Sequence, residues 1–533
     1  MNFFEHKCRA RKRSILRQDI RAIQKLSDSD DPYSTSKLFL EGFNRITLEK
    51  EHLKDSPEFM GVEDDQIVNC IKQIILYSTV KSDVALRLTK AVHGSGNLEI
   101  LPFPPAFRQY LRSRGIAFAP LRSAIAWNFL KAHLLLGGLR RIVKILLVIN
   151  RKRPAHEISF SGCSVFMRSE QFVNFEPNEI EKKWSFVSWY RKSSFSHISN
   201  IIFHRLDGYR SVGELPEGLS ISDTYFTPSC VPEKKWRLLF DLARAALKAV
   251  VNFFGRKWWH AVLLREIADL AHARSVPKDS FAKQYFIPLN HFMIRYLWTY
   301  MAEVQGSEFA VLHYSHSCKE FHPISPDYKP PNYFYAMTSW PLHVVWGEQH
   351  VEGLKENGIV NVTYIIDPPI FYKRPETIFP NIDGPVVVLF DIDTPTLSGW
   401  ANNGFRNPFL CRKSRLEFIK QGALAIRRAG ATPVLKPKTL ENNYSFWAEC
   451  AKANDVFLLP EEMIATVAIE NSAAVLSMPF TTTGAVATKL GKPSCYFDPT
   501  GMLDGFDHYA YSARLVVGID ALDIWLKDKL CKA

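Results

Sequence analysis

Residues Ala473–Gly501 read AAVLSMPFTTTGAVATKLGKPSCYFDPTG, and this stretch decides the fold. Ala474–Leu476 is a short continuous apolar run, the pattern of a strand covered on both faces. Thr483–Leu490 then reads as a helix, closed by Gly491 where the chain must leave helical geometry. Ser494–Phe497 is apolar again. Strand, helix and strand in so short a span form a βαβ unit with parallel strands.

The same rhythm extends in both directions. Upstream come a strand at Val386–Phe390, a helix at Arg412–Ala429 stopped by Gly430, and a strand at Thr432–Leu435. A helix at Tyr444–Ala453, a strand at Val456–Leu459 and a short helix at Met463–Glu470 lead into the quoted stretch. Leu515–Val517 and Ala521–Leu530 finish the series. Alternation of this kind predicts a parallel, doubly wound sheet over 386–533.

Residues 371–385 are rich in Pro, Gly and polar side chains and lack periodicity, so they read as a linker. Before it, strands are expected at His156–Phe160, Ser185–Trp189, Ile198–His204, Phe309–Tyr314, His343–Trp346 and Val362–Ile366. Helices are expected at Lys234–Phe254, His260–Ala273, His291–Gln305 and Glu348–Glu356. The last of these lies between two strand signals, a second βαβ unit. This predicts a mainly helical basic extension over 1–155, an α/β domain over 156–370, the linker, and a second α/β domain over 386–533.

The chain has 533 residues and a formal charge of +13, from 67 Lys+Arg against 54 Asp+Glu. With 47% hydrophobic residues it has the apolar content of a folded globular chain rather than a disordered one. The excess of cations points to an anionic partner: a phosphate-bearing substrate, an acidic membrane face or nucleic acid. Zinc-knuckle, RNP-type and helix-turn-helix signatures are lacking, so charge alone supports nucleic acid, and none is expected. The nine scattered cysteines form no CxxC pair and suit a reducing compartment.

The N-terminus is basic but carries no apolar core of signal-peptide length. No run of about 18 apolar residues free of charge occurs, as a spanning helix requires. A cytoplasmic chain, peripheral on the inner membrane face, is the expectation. Two segments could make that contact. Lys7 to Lys25 holds eight Lys/Arg and one acid, Asp19. In 119–153 a helix would gather Arg140, Arg141, Lys144 and Arg151 on one side. Leu135, Leu139, Ile142, Val143, Leu146 and Ile149 would cover the other, facing either a membrane or the protein core.

In a doubly wound sheet, ligands bind beyond the carboxyl ends of the strands. Lys436-Pro437-Lys438 follows the second strand of the C-terminal domain, and Glu461-Glu462 the third. Ser477, Thr481, Thr482 and Thr483 surround the start of the next helix, and Asp498 follows the fifth strand. A helix start has unpartnered N–H groups and a positive dipole end. Hydroxyls and two lysines beside it suit a phosphate or diphosphate. The competing account is plain N-capping by Thr481 or Thr482. Glu462 could accept a ribose's hydroxyls or simply favour the helix's positive end. Asp391 and Asp393 form a DxD that could hold a divalent cation, but its place in a parallel domain reads as loop chemistry, and no metal or other cofactor is expected. His313, at the end of a strand, has the right pKa range for a base.

The residues Lys436-Pro437-Lys438, then FLLPEE, then Ser477 through Gly501 resemble the bacterial polysaccharide-biosynthesis proteins named for a PFTS motif. Here that motif is Pro479-Phe480-Thr481-Thr482, with Thr in the fourth place, so a hydroxyl is kept. The resemblance implies two Rossmann-like domains facing a cleft, as in GT-B glycosyltransferases, with the nucleotide-sugar donor on the C-terminal domain and a glycan or lipid-linked acceptor on the other. It implies metal-independent transfer of a sugar in surface-polysaccharide synthesis; together with the strand-end placement above, the residues expected on the donor are Lys436, Lys438, Glu462, Ser477, Pro479, Phe480, Thr481, Thr482, Thr483 and Asp498, and the candidate base is His313. Related enzymes carry K-P-H-P at the second strand; this chain has Lys436-Pro437-Lys438-Thr439, without the histidine. A nucleotide-sugar epimerase or hydrolase would turn over the donor without an acceptor. An inactive scaffold of an assembly complex would bind it without turnover.

Overall fold

The computed structural model describes residues 34–47, 59, 61–80, 84–93, 98–149, 159–167, 186–204, 217–227, 231–288, 294–313, 333–367, 378–392, 412–437, 444–460, 462–479, 481–503 and 513–531. Two parallel sheets organise it. The first contains β1 (Ser164–Phe166), β2 (Ile201–His204), β3 (Leu219–Ser222), β4 (Gln284–Ile287), β5 (Glu308–Leu312), β6 (Leu342–Val345) and β7 (Thr363–Ile366), in the order β3-β2-β1-β4-β5-β6-β7. The second contains β8 (Val386–Phe390), β9 (Thr432–Lys436), β10 (Phe457–Leu458), β11 (Ala474–Ser477), β12 (Ser494–Asp498) and β13 (Arg514–Val517), in the order β10-β9-β8-β11-β12-β13. Every paired neighbour is parallel. Both are Rossmann-like α/β units, as their alternating pattern requires.

The second sheet follows the sequence reading within a residue or two at most elements. Val386–Phe390 is buried throughout, sandwiched between helix layers that include Phe418, Ile419 and Ile426 on one side and Ala468, Ile469 and Ala485 on the other. Apolar side chains that alternate between two covered faces explain why this strand has no polar face.

The first sheet departs further. Residues 186–190 form a helix, not the strand expected at 185–189. Val187, Trp189 and Tyr190 are all buried in one cluster, which a strand's alternation would split between two faces. The first strand is Ser164–Phe166 rather than 156–160, of which only Ser159 and Phe160 are described. β3 and β4 went unread: each has four residues, too few to show a period. The helix expected from His291 begins at Leu297, because Tyr296 is extended.

The N-terminal helices share the core of the first sheet. Phe39, Phe43, Phe103 and Phe107 belong to the same buried cluster as Trp259, Tyr285, Phe309 and Trp340. Gln73 fastens them, donating to Met337 O (2.7 Å) and Ser339 Oγ (3.0 Å) and accepting from Arg295 N (2.9 Å). The basic segment of residues 1–30 lies outside the described residues.

Helix Pro120–Ile149 is continuous through Gly137-Gly138. A Cβ at Gly138 would lie 2.6 Å from Leu264 Cβ, so glycine here permits close approach to helix Trp259–Ser275. The helix faces the protein through Trp127, Lys131, Gly138, Ile142 and Ile145. A second apolar stripe, including Leu121, Phe129, Leu136, Val143 and Leu147, stays exposed. The sequence offered core or membrane as alternatives; the helix has one apolar stripe on the core and another in solvent. Among the described residues no helix is long and apolar enough to cross a membrane.

Candidate functional site

The strand order places a switch point between β8 and β11, where successive connections leave toward opposite edges. At its carboxyl end, register aligns Lys436, Phe390, Ser477 and Tyr496 across four adjacent strands. Lys436 and Ser477 are therefore two strand spacings apart, about 10 Å. Met478 N donates to Phe390 O (2.8 Å), carrying β11 past the switch point into the Pro479–Thr483 turn.

The hydroxyls of that turn form a chain. Thr481 Oγ1 donates to Met478 O (3.1 Å) and Thr483 Oγ1 donates to Thr481 Oγ1 (2.8 Å). Ser477 Oγ lies 3.0 Å from Thr483 Oγ1. A hydroxyl has one hydrogen, so Ser477 is the donor in this last contact. All three hydrogens are thus spent within the turn. Thr481 occupies the cap position of helix Thr482–Lys489 yet makes no side-chain cap hydrogen bond. Capping therefore does not explain the threonines. They brace the turn that opens helix Thr482–Lys489, and the first turn of any helix carries N–H groups without intrahelical acceptors.

Tyr496 completes the brace. Its hydroxyl donates to Thr481 O (3.0 Å), and its ring lies where a Cβ on Gly484 would be, 2.7 Å from Cζ. Burial raises the Tyr496 pKa strongly, which keeps this hydroxyl a donor.

The other expected residues take distinct positions. Lys436 is buried at the end of β9, with Nζ donating to Pro437 O (2.7 Å). Pro479 is buried, Thr482 is half-buried and Glu462 is exposed. Lys438, Phe480, Glu461 and Asp393 lie outside the described residues. Asp498 is fully buried. Its Oδ1 accepts from Thr500 N (2.7 Å), Thr500 Oγ1 (2.7 Å) and Gly501 N (3.1 Å), and its Oδ2 from Leu503 N (3.0 Å). Both oxygens hold the loop after β12. Asp391 is committed to Arg415 (2.5 Å), whose guanidinium stacks on Trp447 at 4.3 Å. Among the described residues no group of His, Cys, Asp and Glu is arranged to hold a metal ion.

In the first unit, His313 follows β5 and is 1% exposed. Its Nε2 lies 3.0 Å from His343 Nδ1, and the His350 ring meets it edge-on at 5.0 Å. Burial lowers the His343 pKa to about 4, so that imidazole is neutral at pH 7. A base must reach the hydroxyl whose proton it takes. Among the described residues His313 is buried, packed against His343 and His350. Trp346, which sequence reasoning passed over, donates its Nε1–H to His313 O (2.6 Å) and packs with Val386, Phe390 and Leu459 of the second unit. Its signal was the aromatic residue ending the HVVW run.

The family described as polysaccharide biosynthesis PFTS motif protein matches residues 245–526, just over half of the chain. No curated protein matches in sequence. Among solved structures, a wall teichoic acid polymerase, TagF, aligns over 76% of this chain and 91% of its own, at 8% identity and a TM-score of 0.36. The lipopolysaccharide outer core galactosyltransferase WaaB aligns over 69% and 90%, at 14% identity and 0.32. An alpha,alpha-trehalose-phosphate synthase (UDP-forming) from Burkholderia vietnamiensis aligns over 70% and 91%, at 9% identity and 0.32.

Proposed function

This chain belongs to the polysaccharide biosynthesis PFTS motif family, and from that premise we propose that it is a glycosyltransferase that takes a sugar from a nucleotide-sugar donor. The observation that carries the reading is the uncapped start of helix Thr482–Lys489 at the switch point, braced by the Ser477–Thr483–Thr481 chain. The donor's diphosphate would rest on the N–H groups of Thr482, Thr483 and Gly484, with the Lys436 ammonium at the same edge. As the anomeric bond breaks, negative charge grows on the leaving phosphate. Fixed N–H dipoles and a cation already in place stabilise that charge without reorganising. On this reading Ser477, Thr481 and Thr483 position the turn, Asp498 positions the loop after β12, and a metal ion is not required.

A thermal-shift series of the full chain with CMP-, UDP- and GDP-sugars tests this. A bound donor at about 100 times its Kd adds roughly 2.7 kcal/mol, a rise on the order of 5 °C in apparent Tm. Lys436→Met should remove most of that rise. If none of the three raises Tm, the donor site is misassigned. Release of free sugar in the absence of any acceptor would favour a hydrolase on the same scaffold.

We also propose that the protein attaches peripherally to an anionic membrane surface. Helix Lys235–Val251 exposes Trp236, Phe240, Leu247 and Val251, and its neighbour Pro120–Ile149 exposes the stripe described above. The two faces meet where Lys131 Nζ donates to Phe253 O (2.6 Å), beside the exposed Phe254. An apolar surface this extensive calls for an occupant. Arg122, Arg140, Lys144, Arg237 and Arg244 lie on the same two helices with Asp241 as their one acid. Apolar side chains bordered by cations are the chemistry of an anionic lipid interface.

A further inference from the structure

A cavity of about 290 Å³ opens at the carboxyl edge of the first sheet. His204, the last residue of β2, and Tyr225, beyond the end of β3, form one wall, their rings stacked at 3.8 Å and 19°. Tyr296 extends that wall, 5.6 Å from Tyr225. The facing walls are cationic. Arg140, Arg141 and Lys144 reach it from helix Pro120–Ile149 and Arg265 from helix Trp259–Ser275. Four permanent cations meet two carboxylates, Asp223 and Asp269, leaving a local excess of two positive charges. Asp269 is already committed to Arg141 at 2.5 Å. The Arg140, Lys144 and Arg265 side chains are exposed to the opening.

Glu266, next to Arg265 in sequence, is buried, and burial together with the charge of Asp269 pushes its pKa up to about 7, so at neutral pH it offsets only part of this excess.

We propose that this cavity binds the phosphate of the acceptor, a sugar or lipid carrying a phosphate monoester or diphosphate; this rests on the glycosyltransferase reading. A phosphate monoester carries close to two negative charges at neutral pH, opposite in sign to the cavity's excess. Guanidinium groups match phosphate geometry through paired N–H donors. The tyrosine wall supplies apolar surface for the group attached to the phosphate. Position agrees as well. β2 and β5 are three strand spacings apart in the sheet order, so the cavity and the end of β5 share one edge at about 14 Å. Helix Pro120–Ile149 contributes both to the cavity and to the exposed apolar face, so a phosphate borne on a lipid and one borne on a soluble sugar share the same chemistry here.

The test uses the full chain, calorimetry with pyrophosphate and glucose 1-phosphate, and flotation with vesicles containing phosphatidic acid or an equal charge of phosphatidylserine. Arg265→Gln and Lys144→Gln replace exposed side chains, and the nucleotide-sugar thermal shift is read in parallel. The expected result is a loss of tenfold or more in affinity for the soluble phosphates in each variant, with the nucleotide-sugar response kept. If the soluble phosphates do not bind, a variant-sensitive preference for phosphatidic acid over phosphatidylserine supports the proposal with the lipid as source. If neither source responds to the variants while the nucleotide-sugar shift persists, the cavity proposal is overturned and the donor reading stands. Phosphate binding without any nucleotide-sugar response would overturn the acceptor assignment together with the glycosyltransferase reading.

Discussion

Replacing Trp236 and Phe254 together by serine removes the two most exposed aromatic side chains of the apolar face, which are 80% and 83% accessible. Side chains of this size bury about 150–250 Å² each when fully covered. At about 25 cal/mol per Å², complete immersion is worth roughly 4–6 kcal/mol apiece as an upper limit, and the lower figure is taken here. A helix lying in the interface immerses only one side, so about half of that, roughly 2 kcal/mol per residue, is the working figure. The double variant should lose about 4 kcal/mol of membrane affinity, a fall of several hundred-fold in partition coefficient. Because both side chains already face solvent, the fold should keep its stability to within about 1 kcal/mol. Sedimentation with vesicles of 30 mol% anionic lipid, against neutral vesicles and at two salt concentrations, reads the effect. Partitioning of the double variant within twofold of the unaltered chain would refute the reasoning, since the apolar area would then contribute nothing to attachment.

Other substitutions probe the braced turn and the buried histidines. Gly484→Ala forces the Tyr496 ring away from a Cβ that would sit 2.7 Å from it; a loss of about 1–3 kcal/mol in denaturant unfolding is expected. Asp498→Ala leaves the N–H groups of Thr500, Gly501 and Leu503 without their acceptor, and should cost about 3 kcal/mol or more, with faster proteolysis near residue 500 as the readout. His343 has a folded pKa of about 4 against about 6.5 unfolded, so between these values the unfolded state binds more protons and stability rises with pH. Acidifying from pH 7 to pH 4 should therefore remove roughly 3 kcal/mol through this group. His343→Phe should flatten that part of the stability profile; an unchanged slope would show that the histidine does not titrate as its burial requires.

The second α/β unit was legible in the sequence because its four central strands, β9, β8, β11 and β12, are largely buried apolar runs punctuated by a glycine or a cap. Local spacing therefore carried the parallel order of Val386–Phe390, Thr432–Lys436, Ala474–Ser477 and Ser494–Asp498. The place of the threonine cluster at a strand-to-helix junction was legible for the same reason: local spacing put it between an apolar run and a helix. Where their hydrogens go was not legible. That depends on the turn bringing Met478 O, Thr481 and Thr483 within 3.1 Å of one another, a fact of three-dimensional geometry.

The first unit shows the limit more sharply. Ser164–Phe166 and Gln284–Ile287 are too short to carry a period, and they become strands only because neighbours distant in sequence pair with them on both sides. The 120–149 helix was predictable from its apolar spacing, yet an all-round count of apolar residues cannot say which stripe meets Leu264 and which meets solvent. Likewise the charges of Arg140, Lys144 and Arg265 are written in the sequence. Their convergence on one cavity with Tyr225 and Tyr296 is not, because it joins segments more than a hundred residues apart. Sequence by itself determined where the second unit alternates between strand and helix and which residues carry charge; tertiary packing decided the short strands of the first unit, and which groups face inward, which face solvent and which face one another.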